Sequence, residues 1–70
     1  MTLAELIKER RKSSGLTQFE LAEKAGVGLR FVRELEQGKQ SFRVDKVNQV
    51  LKLFGYELAP TPLNRNNITE

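Results

Sequence analysis

Within four segments of the first 54 residues, apolar residues recur at intervals of three or four positions, which is the spacing of a helix face turned toward a core. The pattern breaks at glycine-containing links and predicts helices over about 3–13, 17–26, 29–37 and 44–54. The side chains expected to face inward are Leu3, Leu6, Ile7, Leu21, Ala22, Ala25, Val32, Leu35, Val44, Val47, Val50, Leu51 and Phe54. Leu29 or Phe31 stands at the margin of this set.

Capping signals mark where the first two helices begin. Thr2 with Glu5, and Thr17 with Glu20, match the capping box, in which each side chain binds an otherwise unpaired backbone amide. Gly15 follows the first helix and is expected to adopt a positive φ, because glycine carries no β-carbon to oppose it.

The segment after the fourth predicted helix has another pattern. Tyr56-Glu57-Leu58 alternates apolar and polar residues, as a strand does, but a single strand in so short a chain has no partner within it. A second copy of the chain is therefore needed to pair with it. Pro60 and Pro62 interrupt regular pairing, so we expect a folded domain over 1–59 and a flexible tail over 60–70.

Composition narrows the class of protein. A chain of 70 residues, 39% of them hydrophobic, supports one small core. The longest uninterrupted apolar stretch is two residues, so no membrane span or secretion segment is recognisable and a cytoplasmic location is expected. The absence of cysteine excludes disulfides. We therefore expect dimerisation to supply the stability that the small core lacks. The formal net charge of +3 suits a phosphate backbone without establishing one as the partner.

Nothing in the sequence favours an enzyme. The chain has neither histidine nor cysteine, and its carboxylates form no convergent pair. Glu34 and Glu36 fall on different faces of the third predicted helix. Metal-ligand spacings, phosphate-binding glycine loops and nucleotide motifs are also missing from the sequence. We expect no catalytic residues, no cofactor and no metal ion.

Residues 17–38 have the layout of a helix-turn-helix, in which two short helices are joined by a glycine-containing corner. Ala22 is small where two helices that cross steeply through a short turn come closest. In the corner itself, Gly26 and Gly28 permit unusual backbone dihedrals, and Val27 is expected to fill the space between the helices.

Four spaced motifs stand out within residues 3–54. They are Leu16-Thr17-Gln18, Leu21-Ala22, Ala25-Gly26-Val27 and Leu35-Glu36-Gln37-Gly38. Together they closely resemble the phage-repressor (Xre, Cro/C1-type) helix-turn-helix family. The resemblance implies an all-α, compact, lambda-repressor-like DNA-binding domain of four to five helices. Residues 50–58 resemble the helix-then-strand ending of HipB-like antitoxins of type II toxin–antitoxin systems, which implies a short C-terminal strand that pairs across a homodimer.

The resemblance to this family implies that the helix beginning at Leu29 lies in the DNA major groove. Arg30, Arg33 and Glu34 would then face the bases, and Leu29 would lie close to a thymine methyl group. Arginine suits guanine and glutamate accepts from cytosine N4, so a half-site containing G·C pairs is expected. The alternative is that Arg30 and Glu34 form an exposed ion pair with no part in DNA binding.

Gln18 resembles the family glutamine that reaches a DNA phosphate and braces the recognition helix, with help from backbone amides at the helix start. The alternative is a solvated first-turn residue. The resemblance implies that residues after the recognition helix lie beside the same DNA backbone, although an ordinary solvated loop would have a similar sequence. The complete set of expected DNA-binding residues is Thr17, Gln18, Gly28, Leu29, Arg30, Arg33, Glu34, Gln37, Lys39, Ser41 and Arg43.

Arg11 and Glu36 match family positions that form a largely buried ion pair between the first helix and the recognition helix. Their implied role is structural. Two residues depart from the family pattern. Gly28 stands where a Ser or Thr N-cap is common, although glycine caps almost as well. Arg10 stands where an apolar residue is common, and its stem can cover the core while its head reaches water.

Leu53, Phe54, Tyr56 and Leu58 form an apolar end that one copy of the chain cannot fully bury. We expect it to be the homodimer surface, which would place two recognition helices about 34–36 Å apart on a palindromic operator. The alternative is local core packing with a different dimer surface.

These observations predict a sequence-specific repressor that binds double-stranded DNA. The narrower resemblance adds the antitoxin of a HipBA-like module, which represses its own operon and binds a HipA-like kinase toxin. The alternatives are a stand-alone Xre-type regulator and a helix-turn-helix module that contacts protein instead of DNA.

Overall fold

A computed structural model describes residues 1–39 and 43–62, and every regular element in these two ranges is an α-helix. The helices are α1 (Leu3–Ser13), α2 (Gln18–Ala25), α3 (Leu29–Glu36) and α4 (Val44–Lys52). They enclose one cluster of buried apolar side chains, namely Ile7, Leu21, Ala22, Ala25, Val32, Leu35, Val47, Val50 and Leu51. The all-helical prediction is confirmed for the described residues. None of the helices in these ranges has the length and apolar character that crossing a bilayer requires.

The first two helices begin at the predicted capping boxes. Thr2 Oγ1 accepts from the Glu5 amide at 3.1 Å, and Glu5 Oε1 accepts from the Thr2 amide at 2.8 Å. Thr17 and Glu20 repeat the arrangement at 3.0 and 2.8 Å. The hydrogen bond from the threonine backbone, and then the one with the threonine side chain, lowers the pKa of each glutamate. Both carboxylates therefore keep the charge that favours a helix N-terminus.

The two glycines between α2 and α3 have different backbone conformations. Gly26 ends α2 with φ +74°, and its amide donates to the carbonyls of Ala22 and Glu23. Gly28 has φ −77° and ψ 152°, the extended conformation of an N-cap, which any residue adopts. The unusual dihedral that glycine permits is found at Gly26. At Gly28 the expected N-cap is confirmed, with an ordinary extended backbone.

The fourth helix ends earlier than its apolar pattern predicts. The α4 helix stops at Lys52 instead of Phe54, and the amides of residues 53–55 donate to carbonyls three positions back. This tighter turn ends at Gly55, with φ +79°. Apolar residues keep their helical spacing through such a turn, so the pattern alone could not show where α4 ends. Similarly, α3 stops at Glu36, and Gln37 is its C-cap.

Four residues predicted to face inward are only partly buried or are exposed. Leu3, Leu6 and Phe54 pack against the core from its margin. Val44 is 60% exposed, because the buried positions of α4 begin one turn later, at Val47.

Residues 56–62 form no strand with any described part of the chain. The Leu58 amide instead donates to Asn48 Oδ1 at 2.8 Å, which holds this segment beside α4. A strand at residues 56–58 requires a second copy of the chain, so its pairing stays a prediction. The first residues of the predicted tail, 60–62, are exposed, and residues 63–70 lie outside the described ranges.

Candidate nucleic-acid interface

The α3 helix is buried on one side and exposed on the other. Val32 and Leu35 are essentially inaccessible to solvent. Arg30 and Arg33 are exposed on the opposite side, and the Arg30 side chain retains 91% of its accessible surface. The two pairs of residues lie on opposite sides because of the 3.6-residue helical period. Val32 and Leu35 are about one turn apart and share the core side, and the arginines fall on the other side. The arrangement leaves two guanidinium groups accessible to a partner.

Glu34 lies within ion-pair distance of two cations. Its Oε2 is 3.4 Å from Arg30 Nε, one helical turn earlier, and its Oε1 is 3.2 Å from Lys39 Nζ, beyond the end of α3. The hydrogen bond from Lys39 is the main cause of a lowered Glu34 pKa, partly opposed by desolvation. Arg33 makes no ion pair within residues 1–39 and 43–62. We call Arg30, Arg33, Glu34 and Lys39 the cationic face.

A buried carboxylate connects three helices behind this face. Glu36 Oε2 accepts from Arg11 Nε at 2.7 Å, and Oε1 accepts from Arg11 Nη2 at 3.1 Å. Gln18 Nε2 donates to the same Oε1 at 3.1 Å, and Arg11 Nη1 donates to the Leu16 carbonyl at 2.8 Å. The side chain of Glu36 is 1% exposed and that of Arg11 12%. Both carboxylate oxygens therefore have partners, and α1, α2 and α3 are held in one arrangement.

Gln18 takes part in this network through its side-chain amide. A carboxylate paired with arginine only accepts hydrogen bonds, so Gln18 must present its NH2 group to Glu36. One N–H of that group and the amide carbonyl remain for other partners. Gln18 is thus connected to α3 and is not only a solvated residue of the first turn of α2.

The remaining residues expected to bind DNA lie in different surroundings. Thr17 and Gly28 are the exposed N-caps of α2 and α3, and Gln37 is exposed at the end of α3. Leu29 is half-buried and packs against the core, which limits its reach toward a partner. Arg43 pairs with Asp45, with Nη2 2.7 Å from Oδ2, and this bond lowers the pKa of Asp45. Ser41 lies outside the described residues.

Two polar residues of α4 make contacts that sequence reasoning missed. Gln49 Nε2 donates to the Ala25 carbonyl at 3.1 Å, which joins α4 to the end of α2 beside Gly26. Asn48 holds the Leu58 amide, as described above. Both residues lie off the apolar positions Val47, Val50 and Leu51 of α4, so the apolar pattern gave no signal for either contact.

The apolar end is largely accessible in the single chain. Leu53, Tyr56 and Leu58 are 44%, 45% and 37% exposed. Phe54 differs from them, because it packs against the core of its own chain.

Comparison with known proteins agrees with this layout. The sequence profile of the helix-turn-helix family matches residues 7–60. The uncharacterized HTH-type transcriptional regulator y4mF of Sinorhizobium fredii is 50% identical over 50 residues, which cover 71% of this chain and 66% of the relative, just under two thirds. An uncharacterized HTH-type transcriptional regulator of Methanothermobacter thermautotrophicus is 40% identical over 52 residues, 74% of this chain and 75% of the relative. The chain belongs to the helix-turn-helix family.

Proposed function

We propose that the protein is a sequence-specific DNA-binding repressor of transcription. The observation that carries the proposal is the position of α3, which Val32 and Leu35 hold against the core while Arg30 and Arg33 stand exposed on its other side. A helix fits the major groove, where arginine can bind guanine O6 and N7. Two relatives bear the name of HTH-type transcriptional regulators, which agrees with this function.

In this proposal, base recognition and backbone contacts come from different parts of the surface. Arg30, Arg33 and Glu34 read base edges. Gln18 uses its remaining N–H for a phosphate, assisted by the backbone amides at the start of α2. The other residues proposed to lie beside the backbone or the groove are Thr17, Gly28, Leu29, Gln37, Lys39, Ser41 and Arg43.

Arg11 and Glu36 are proposed as positioning residues and contact no DNA. Their ion pair, together with Gln18, determines how α3 sits relative to α2. A phosphate contact made by Gln18 would therefore be held at a constant distance from the bases read by α3.

The experiment that tests DNA binding begins with selection from a random duplex library by the wild-type protein, followed by binding titrations on the enriched duplex and on random duplexes. Arg30→Ala and Arg33→Ala should each lose about 1–3 kcal/mol of binding to the enriched duplex and much less on random DNA. Lys39→Ala should weaken both similarly and flatten the salt dependence. Lys8→Ala, which removes an exposed positive charge from α1, is the matched control. A wild-type protein that enriches no sequence would favour the protein-contacting alternative.

The proposed assembly is a homodimer formed through the apolar end. Three of its four residues are more than a third exposed, although they are large and apolar. Pairing of residues 56–58 with their copy would cover them and place two α3 helices about 34–36 Å apart, so the operator would be palindromic.

The more specific role that we propose is that of a HipB-like antitoxin, which represses its own operon and binds a HipA-like kinase toxin. This role is supported by a small helix-turn-helix domain that is followed by the accessible apolar end. Co-purification with the product of the neighbouring gene tests this role. Failure to co-purify, with operator binding intact, would favour the stand-alone regulator.

A further inference from the structure

The cationic face contains an acidic side chain at its centre. Glu34 lies between Arg30, on the preceding turn of the same helix, and Lys39, three residues past the helix end. The other glutamate of α3, Glu36, is buried against Arg11 and does not contribute to this surface. Glu34 is therefore the only exposed or half-exposed acid of α3, and both of its oxygens are near a cation.

This arrangement affects phosphate and base contacts differently. A phosphate that approaches Arg30 or Lys39 competes with the Glu34 carboxylate for the same cation and is repelled by it. Binding to random DNA depends almost entirely on such phosphate contacts. A cytosine amino group, in contrast, donates a hydrogen bond to a carboxylate and compensates the charge once the cations turn to DNA. The repulsion between Glu34 and phosphate therefore weakens binding to random sequences in full. It is compensated where a cytosine amino group binds the carboxylate.

The carboxylate is charged at neutral pH, since the ordinary glutamate pKa of 4.5 already lies far below that pH and the Lys39 hydrogen bond lowers the pKa of Glu34 further. It is also partly accessible, with 30% of the side-chain surface exposed, so it can change partners without any movement of the core. Arg33 differs from Arg30 in this respect, since it has no ion-pair partner among the described residues to give up. Among the described residues, this surface thus combines one guanidinium that has no ion-pair partner with two cations that are paired to Glu34.

We propose that Glu34 determines sequence specificity by competing with DNA phosphates for Arg30 and Lys39, so that it weakens binding to random DNA more than binding to the operator. This inference rests on the proposed DNA-binding function. It assigns to Glu34 a role that a simple hydrogen-bond acceptor for one base would not have.

The test compares wild type, Glu34→Gln and Glu34→Ala on two probes, a duplex enriched by the wild-type protein and a pool of random duplexes of the same length. Both variants should bind the random pool about tenfold more tightly, because the competing charge is gone. The slope of log affinity against log salt on that pool should steepen by about 1–2, as Arg30 and Lys39 gain phosphate contacts. Affinity for the enriched duplex should rise less or fall, so the specificity ratio decreases.

Glu9→Gln is the matched control, since Glu9 is also an accessible helical glutamate that pairs with an arginine, and its substitution gives the same net charge as Glu34→Gln. It should leave the specificity ratio unchanged. An equal gain from Glu9→Gln would show a net-charge effect and overturn the inference, as would unchanged or weaker binding of both Glu34 variants to the random pool. Neither of these outcomes concerns operator binding by the wild-type protein, so the proposed DNA-binding function would still stand. A wild-type protein that binds neither probe would overturn the proposed function and this inference together.

Discussion

Glu36 is the charged residue that the described part of the chain buries, and its surroundings explain how a small core accommodates it. Arg11 binds both of its oxygens and Gln18 adds a third hydrogen bond. A buried ion pair of this kind is not a large source of net stability, because removal of both charges from water is costly. Its consequence is geometric, since it holds α1, α2 and α3 in a single arrangement.

Arg11→Ala should lower the free energy of unfolding by about 3–5 kcal/mol, because it leaves the Glu36 carboxylate buried without its main partner. Urea denaturation followed by circular dichroism at 222 nm would measure the loss. Arg43→Ala removes an exposed ion pair and should cost far less. The double variant Arg11→Met, Glu36→Leu should recover most of the loss. If Arg11→Ala unfolds no more easily than Arg43→Ala, the pair has no structural role.

The helices of this protein begin in two ways. The α1 and α2 helices each have a complete capping box, whereas α3 and α4 begin at Gly28 and Arg43 without a side-chain cap. The uncapped helices contribute Val32, Leu35, Val47 and Val50 to the fully buried core, so packing compensates for their missing caps.

Thr17→Ala should destabilise the protein by about 1 kcal/mol, because the Glu20 amide loses its hydroxyl partner. Thermal unfolding of Thr17→Ala and Thr17→Ser measures the effect, and the serine variant, which keeps the hydroxyl, should remain close to wild type. Equal destabilisation by both substitutions would point to lost packing of the threonine methyl group.

The capping boxes also predict a dependence of stability on pH. Hydrogen bonds with Thr2 and Thr17 lower the pKa of Glu5 and Glu20 in the folded state below the ordinary value of 4.5. Their contribution is therefore complete above the unfolded pKa and is lost as the pH falls through the lowered folded pKa. Melting temperatures measured from neutral pH down to about pH 3 should fall less steeply for Glu5→Gln, Glu20→Gln than for wild type.

Glu23→Gln is the control for this pH dependence, because Glu23 lies on α2 and its side chain makes no hydrogen bond within residues 1–39 and 43–62. Its acid profile should match that of wild type. An unchanged slope for the Glu5 and Glu20 double variant would mean that other carboxylates produce the acid sensitivity.

At the scale of the whole molecule, the four helices bury one apolar cluster and leave the apolar end, which follows α4, accessible. The hydrogen bond from the Leu58 amide to Asn48 holds this segment close to α4, and Tyr56 donates its amide to the Leu51 carbonyl. The end of the domain is therefore positioned by its own helix before any partner binds.

Leu58→Glu should convert the proposed dimer into a monomer, because a carboxylate cannot be buried beside its own copy across a two-fold axis. Sedimentation velocity should give twice the chain mass for wild type and the chain mass for the variant. Phe19→Ser, which removes another exposed large apolar side chain outside the apolar end, should stay dimeric. A monomeric wild type, or a dimeric Leu58→Glu variant, would exclude the apolar end as the interface.

The sequence by itself determined the features that depend on neighbours within about four residues. Both capping boxes, the positive φ of Gly15 and Gly26, and the burial of Ile7, Val32 and Leu35 follow from local hydrogen bonds and from the 3.6-residue period. Family resemblance added the contact between Arg11 and Glu36, which no local rule contains.

Only the tertiary structure decided which polar side chains meet across the fold. The contact of Gln49 with Ala25 joins residues 24 positions apart and depends on the crossing of whole helices. The family resemblance implied that Gln18 braces α3, but only the structure identified Glu36 as its partner. The early end of α4 likewise escaped prediction, because apolar spacing does not distinguish a helix from the tighter turn that follows it. Glu34 illustrates the same limit, since its bond to Lys39 forms only where the chain turns back at the end of α3. Such contacts depend on the relative positions of helices, which local preferences leave open.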